Sequence, residues 1–127
     1  MMVRCIIVDD SARFLEAARA VLEYDGIQVV GTASTSTEAL ALVARLRPDV
    51  TLVDIDLGAE SGLRLAARLA EQANGSPAPL IMISAHSEED YADLIEASPA
   101  IGFLSKTALS GAAVRETLGE VGGPSGR

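Results

Sequence analysis

The sequence predicts an α/β fold in three layers, with a doubly wound parallel sheet of five strands between helices. The first indication is the alternation of short apolar runs with longer segments of helical periodicity, which is typical of βα units. The second is that the apolar runs lack polar alternation, as in VTLV at residues 50–53, just before Asp54. Strands covered on both faces by helices have this composition. Because crossovers between parallel strands are right-handed, five such units give a sheet with helices on both sides.

Strands and helices alternate along the whole predicted domain. The strands are predicted at residues 4–8, 27–33, 50–54, 80–84 and 102–104, and the helices at residues 11–24, 36–46, 62–73, 87–98 and 109–119. Ser11 can cap the first helix, and Pro48 ends the second because the residue before a proline disfavours helix. In the fourth helix, residues 88–90 place acidic side chains in the first turn, where the helix dipole favours them. The third helix is predicted to bury a face formed by Leu63, Ala66, Ala67 and Ala70.

Length and composition indicate one domain with a core of its own. The chain has 127 residues, of which 49% are hydrophobic and 3% aromatic. This composition excludes a disordered chain and favours helix-on-sheet packing with small side chains. We expect residues 1–119 to form the domain and residues 120–127 to be a flexible tail, a linker or the remnant of a tag.

Charge and apolar patterning exclude several classes of function. The net charge of −8 argues against direct nucleic-acid binding, which needs basic groups to neutralise phosphates. No apolar run reaches the roughly 20 residues that cross a bilayer, and the amino terminus lacks the regions of a signal peptide. The single cysteine, Cys5, is expected to be a buried structural thiol. We therefore expect a cytoplasmic protein without membrane contact.

Polar side chains stand where four of the predicted strands end. These residues are Asp9, Asp10, Asp54, Ser84 and Lys106. Because the loops at the carboxyl ends of neighbouring parallel strands converge, all five are expected to share one cleft. Two carboxylates about 4 Å apart repel by roughly 4 kcal/mol at an effective dielectric constant of 20, so three in one cleft require a cation or protonation. Mg²⁺ is the simplest answer, since it prefers one or two protein carboxylates together with water and phosphate oxygens.

Four short motifs in the chain resemble the receiver domain of two-component response regulators. They are VDD at residues 8–10, DIDLGAESG at 54–62, the Ser-Ala pair at 84–85 and GFLSK at 102–106. The resemblance extends over about residues 3–119, and four motifs in order at the ends of four strands are more specific than any one alone. It implies a flavodoxin-like sheet with the strand order 2-1-3-4-5. It also implies a phosphoacceptor that assists its own phosphorylation and dephosphorylation, and not an enzyme in the usual sense.

The resemblance assigns the acidic residues to the phosphoryl group and to Mg²⁺. Asp54 would be the phosphoacceptor, because an ionised carboxylate can attack phosphorus and form an aspartyl phosphate. Asp9 and Asp10 would be the metal-binding acids. Asp54 itself and the backbone carbonyl of Asp56 would complete the protein ligands of Mg²⁺.

The remaining site residues would bind the phosphoryl group and report its presence. Lys106 and Ser84 would meet the phosphoryl oxygens, and Ser84 and Phe103 would change position on activation. The implied partner is a histidine kinase or a phosphotransfer protein, and the resemblance admits a homodimer on phosphorylation.

The resemblance leaves the output of the domain open. The ending KTALSG at residues 106–111 and the Gly-, Pro- and Ser-containing tail are similar to receivers that precede a helix-turn-helix domain. We therefore expect control of transcription through a DNA-binding domain absent from this chain. A stand-alone receiver or a phosphorelay intermediate is the alternative.

Two positions bear on how the phosphorylation site would behave. Gly58 stands where a proline is usual in this family, so the turn after the phosphoacceptor is expected to be more flexible. His86 lies two residues after Ser84, at a position that varies in the family and tunes hydrolysis. It is either a modulator of that rate or a plain exposed loop residue.

A haloacid-dehalogenase-like phosphatase is a remote alternative, because TLVDIDLG also fits the strand followed by Asp-x-Asp of that family. Two features oppose it: that family has the motif near its amino terminus and needs a further acidic pair after the lysine. Here Lys106 is followed only by Glu116 and Glu120. A flavodoxin-like cofactor carrier is opposed by the lack of a phosphate-cradling loop after the first strand. A silent receiver-like binding module is opposed by the presence of every expected site residue.

Overall fold

The computed structural model describes residues 2–74 and 78–122. Its strands are β1 Arg4–Val8, β2 Gln28–Ala33, β3 Val50–Asp54, β4 Asp56–Leu57, β5 Glu60–Ser61, β6 Leu80–Ser84 and β7 Gly102–Ser105. Five of them form one parallel sheet in the order β2-β1-β3-β6-β7, and β4 and β5 form a small antiparallel hairpin. Counted within the main sheet, this is the predicted order 2-1-3-4-5, so the fold class is confirmed.

Five α-helices connect the strands in the described residues. They are α1 Ala12–Tyr24, α2 Ser36–Leu46, α3 Gly62–Gln72, α4 Ala92–Glu96 and α5 Gly111–Gly122. Hydroxyl side chains start the first three helices: Ser11, Thr35 and Ser61 each accept a hydrogen bond from a backbone N–H in the first turn. The predicted cap at Ser11 is therefore confirmed.

The core lies on both faces of the sheet, as three layers require. One cluster packs α2, α3 and α4 against side chains such as Ile6, Val53 and Met82. The other packs α1 and α5 against Ile7, Leu52 and their neighbours.

Cys5 belongs to the second cluster and is fully buried. Burial raises the pKa of its thiol to about 12. The prediction of a buried structural thiol is confirmed.

The predictions for the third and fourth helices need correction. The buried face of α3 consists of Gly62, Leu65, Ala66 and Leu69, whereas the predicted residue Ala67 is exposed, because the bulkier leucines turn toward the sheet. The predicted helix 87–98 is a 3₁₀ turn at Glu88–Asp90 followed by the short α4. The backbone of Tyr91 (φ −129°, ψ 7°) interrupts it, and the Ser87 hydroxyl donates to Asp90 Oδ2 (3.3 Å) instead of capping a helix.

The last helix continues beyond its predicted end at residue 119. It begins at Gly111 and ends at Gly122. Of the predicted tail 120–127, residues 123–127 lie outside the described residues. Among the residues described, no helix has the length and apolar character needed to span a bilayer.

The pairing of the edge strand β2 with β1 is irregular. Cys5 pairs with Val29, but Ile6 pairs with Gly31, so Val30 has no partner in the register. One extra residue on one strand of a pair is a β-bulge, which bends the strand and increases its twist.

Candidate functional site

A cleft of about 360 Å³ opens at the carboxyl ends of the central strands. It is lined by Asp10, Asp54, Asp56, Gly58, Ser84, Ala85, His86 and Lys106. The loops after β1, β3, β6 and β7 supply these residues, so the predicted convergence occurs. Asp9 lies beneath the cleft and is fully buried.

Lys106 forms a bridge between two buried carboxylates. Its Nζ lies 2.6 Å from Asp9 Oδ2 and 2.9 Å from Asp54 Oδ2. Among the described residues, Asp9 Oδ2 has no other hydrogen-bond partner, while Asp9 Oδ1 accepts from the backbone N–H of Ser11 (2.8 Å). One ammonium therefore neutralises part of the negative charge at the bottom of the cleft.

Burial dominates the electrostatics of Asp54. Loss of hydration raises its pKa to about 6, and the charge of Asp9 adds to this rise. Hydrogen bonds from Lys106 and from the backbone N–H of Asp56 (3.0 Å to Oδ1) act in the opposite direction. Burial alone would lower the pKa of Lys106, but its bonds to Asp9 and Asp54 outweigh that cost and raise it.

The acidic cluster has the donor set of a hard divalent cation. Asp9, Asp10 and Asp54 each offer a carboxylate oxygen, and these oxygens lie within 4.8 Å of one another. Lys106 alone leaves the cluster with an excess of negative charge, and Asp10 faces solvent. Oxygen donors of this kind fit Mg²⁺.

A family model described as the response regulator receiver domain matches residues 5–116. The chain belongs to this family. Members take part in two-component signalling as phosphoacceptors, so the resemblance found in the sequence is confirmed.

Solved receiver domains share the fold of this one. The signal receiver domain of the proposed response regulator NarL from Mycobacterium tuberculosis is 29% identical, with a TM-score of 0.78 over 93% of this chain and 98% of that chain. The receiver of a modulated diguanylate cyclase from Desulfovibrio desulfuricans is also 29% identical, with a TM-score of 0.76 over 93% and 91% of the two chains.

The curated relatives of this receiver domain are longer proteins. The protein-glutamate methylesterase/protein-glutamine glutaminase 4 of Geobacter metallireducens is 38% identical over 70% of this chain and 25% of its own length. The corresponding protein of Haloarcula marismortui is 32% identical over 82% of this chain and 28% of its own length. The chain thus spans about a quarter of the length of these relatives.

The turn after Asp54 in this receiver depends on two glycines. Gly58 has a φ of +67°, which proline cannot adopt, and a Cβ there would lie 2.8 Å from Asp10 Oδ2. At Gly62 a Cβ would overlap the carbonyl oxygen of Asp54. The hairpin that contains Gly58 is tied to α2, because Glu60 Oε1 accepts from the backbone N–H of Ser36 (2.8 Å).

Of the two predicted switch residues, Ser84 lies at the cleft and Phe103 lies against the core. Ser84 is buried at the cleft, and its Oγ accepts from the backbone N–H of His86 (3.0 Å). His86 is exposed at the rim. Phe103 is partly buried and packs against the core cluster beneath α3 and α4.

Sequence reasoning did not find one contact of the site. The ring of Phe14 lies beneath the ammonium of Lys106, with Nζ 4.4 Å from the ring centroid. Phe14 follows Asp10 by only four residues, and this short spacing, which places it next to the acidic pair, was the available signal.

Proposed function

We propose that this domain accepts a phosphoryl group on Asp54 from a histidine kinase or a phosphotransfer protein and changes its surface in response. The observation that supports this most is the bridge formed by Lys106 between Asp9 and Asp54. An ammonium held 2.9 Å from the nucleophilic oxygen is close to where phosphoryl oxygens would arrive. The family match favours this function over the phosphatase alternative.

The transfer needs one nucleophile and no external oxidant or reductant. An Asp54 carboxylate oxygen forms a bond to phosphorus while the bond from phosphorus to the donor imidazole nitrogen breaks. The leaving imidazole takes up a proton from solvent. Lys106 and the Ser84 hydroxyl bind the phosphoryl oxygens, and exposed Ala85 beside Ser84 leaves space at the mouth of the cleft.

Asp10 and Asp54, with buried Asp9 behind them and the backbone carbonyl of Asp56, would hold Mg²⁺. When bound, Mg²⁺ supplies positive charge that orients the phosphoryl group and offsets its charge in the cleft. Asp10 is exposed and its carboxylate faces the cleft, which suits entry of the ion from solvent. Asp9 is engaged by Lys106 and Ser11, so it acts mainly by setting the charge of the site.

The response would be read at Ser84 and Phe103. A phosphoryl group on Asp54 would attract the Ser84 hydroxyl, and movement of the β6–α4 loop would change the space available to Phe103 on the neighbouring β7. The altered surface would comprise α4, β7 and α5, where a homodimer or an output domain would bind.

Two candidates have support for the output, that is, for the process that this domain would control. Control of transcription through a DNA-binding domain is favoured by the ending KTALSG at residues 106–111, which is similar to that of receivers that precede a helix-turn-helix domain. Control of a methylesterase domain is favoured by the names of the curated relatives. A stand-alone receiver or a phosphorelay intermediate remains the alternative to both.

The test is the intact mass of the domain after treatment with acetyl phosphate. The parent protein should gain one phosphoryl group in Mg²⁺ and none in chelator. Asp54→Asn, which is nearly isosteric, should gain none while keeping the circular dichroism of the parent. Asp56→Asn is the matched control, since it changes an exposed carboxylate of the same loop without removing the nucleophile. Labelling that survives in Asp54→Asn would refute the proposal.

A further inference from the structure

Among the described residues, the ammonium of Lys106 has two charged partners and one uncharged partner. Asp9 and Asp54 form ion pairs with it, and the third group is the face of the Phe14 ring, 4.4 Å from Nζ. The Lys106 side chain is only 19% exposed. An aromatic face attracts a cation through its quadrupole, and the attraction is stronger where water is partly excluded.

The position of the ring is fixed by hydrogen bonds that begin at Asp9. Asp9 Oδ1 accepts from the backbone N–H of Ser11 (2.8 Å), and Ser11 Oγ accepts from the backbone N–H of Phe14 (3.2 Å). The first turn of α1 is thereby tied to the carboxylate that Lys106 also binds. Ring, ammonium and Asp9 are thus held as one unit.

The ring is uncharged, unlike the two carboxylates, and this difference matters for phosphoryl transfer. Lys106 must change oxygen partners when a phosphoryl group arrives on Asp54, and an uncharged ring does not compete with the new oxygens for an ion pair. It continues to attract the cation before and after transfer. A leucine of similar size would fill the space without that attraction.

We propose that Phe14 is a positioning residue that holds the ammonium of Lys106 where it meets the oxygens of the incoming phosphoryl group. The inference rests on the proposed function, because Phe14 acts through Lys106 and not on the reacting atoms. Phe14 is also partly exposed on α1, so the ring lies between the site and the outer surface of that helix.

The sequence offers a direct spectroscopic test, because Lys106 is the only lysine in the chain. In protein made with ¹³C-lysine, the single Cε–Hε signal should lie upfield of its usual position through the ring current of Phe14. Phe14→Leu should return the signal to the usual position, and Phe14→Tyr should keep it upfield. An unshifted parent signal, or no change in Phe14→Leu, would overturn the proposal.

The kinetic test uses acetyl phosphate labelling and a double-mutant cycle. Phe14→Leu should slow labelling by about three- to tenfold, the range expected for a partly buried cation–π contact, and Phe14→Tyr should label at the parent rate. In a Lys106→Ala background, Phe14→Leu should have no further effect, because its partner is gone. An equal loss in both backgrounds would mean a structural role and refute the proposal.

Controls separate loss of the contact from loss of the fold. Val21→Ala removes exposed apolar surface from the same helix and should label normally. Phe14→Met is a second variant without a ring, to be used if Phe14→Leu has an altered circular dichroism spectrum. If the parent is not labelled at all, the proposed function fails, and the lysine signal alone then decides whether Phe14 holds Lys106.

Discussion

Asp10 differs from the other two carboxylates of the acidic cluster because it is exposed. Asp9 is fully buried and Asp54 is 4% exposed, and both are paired with Lys106. Asp10 has no part in that ion pair, so its charge is available to an ion that enters from solvent.

Asp10→Asn should therefore weaken Mg²⁺ binding without removing the nucleophile. We expect a loss of at least about tenfold in affinity, since even outer-shell partners of metal sites contribute that much. Labelling by acetyl phosphate should be slow at low Mg²⁺ and recover as Mg²⁺ is raised. Isothermal titration of Mg²⁺ checks the affinity, with Asp90→Asn, an exposed acid outside the cleft, as the control. Unchanged affinity would remove Asp10 from the metal site.

Cys5 should be chemically inert in the folded protein. Its pKa is raised to about 12 by burial, so the neutral thiol persists at pH 8, and the associated stability is lost only as pH rises from the ordinary thiol pKa toward 12. Iodoacetamide at pH 8 should modify the folded chain at least about a hundredfold more slowly than the urea-unfolded chain. Mass spectrometry gives both rates, and equal rates would contradict the burial.

The acidic cluster and Lys106 were predictable because each residue follows an apolar strand, and parallel strands end at one edge. The contact between the Phe14 ring and Lys106 was not predictable from the sequence. Helical periodicity indicates which face of α1 carries Phe14, but it does not indicate which side chain from another loop contacts that face. Gly58 was recognised only as a departure from proline. Its close approach to Asp10 depends on the path of the turn, which no local pattern encodes.

At the scale of elements, the start of α3 is pressed against the end of β3. The backbone N–H of Gly62 donates to the carbonyl of Ile55 (2.8 Å), and the same glycine contacts the Asp54 carbonyl so closely that a methyl group would overlap it. The helix thus supports the backbone of Asp54 from behind.

Gly62→Ala should destabilise the fold by about 3 kcal/mol or more, because backbone and not a flexible side chain must move. Gly119→Ala is the matched control: a Cβ there meets nothing within 4 Å, and alanine should stabilise α5 by up to about 1 kcal/mol. Urea unfolding followed by circular dichroism measures both changes. Equal stabilities of the two variants would contradict the close packing at Gly62.

The first and last helices are joined by Asp25. Its Oδ2 accepts from the backbone N–H of Gly111 at the start of α5 (2.7 Å), and its carbonyl accepts from Arg115. Asp25→Ala should cost about 1 kcal/mol, as the loss of a helix cap does, and Asp25→Asn should recover part of it. The free energy of unfolding in urea decides this, and an unchanged value for Asp25→Ala would show that the contact does not stabilise α5.

The predicted bounds of strands and helices were correct where burial determines the structure. They were wrong where two local conformations compete for the same residues. The strands at residues 50–54 and 80–84 were correct to the residue because they are fully buried runs. Residues 87–98 were not, because Ser87 and its acidic neighbours allow both a helix and a hydrogen-bonded turn. On the predicted face of α3, Ala67 was wrong because several small residues made two faces look equally apolar.

At the scale of the whole molecule, phosphorylation of Asp54 should change the conformation of segments far from the cleft. Amide exchange between residues 88 and 116, which cover α4, β7 and the start of α5, should change when acetyl phosphate and Mg²⁺ are added. Lys106→Ala should still be labelled but show a smaller change, because the cation that joins the phosphoryl group to β7 is missing. Exchange that is identical with and without donor would contradict a conformational response.

The bulge at Val30 has a consequence for how copies of this domain can associate. A parallel sheet ends in open strands, and an open strand with a regular ladder is a template for edge-to-edge aggregation. Here the outer strand β2 carries an unpaired residue in its middle, so its free N–H and C=O groups do not form a continuous row. A second chain can add hydrogen bonds to only part of this edge. Self-association through an extended intermolecular sheet is thereby disfavoured at the β2 edge, which fits the proposal that two copies would meet at the face of α4, β7 and α5.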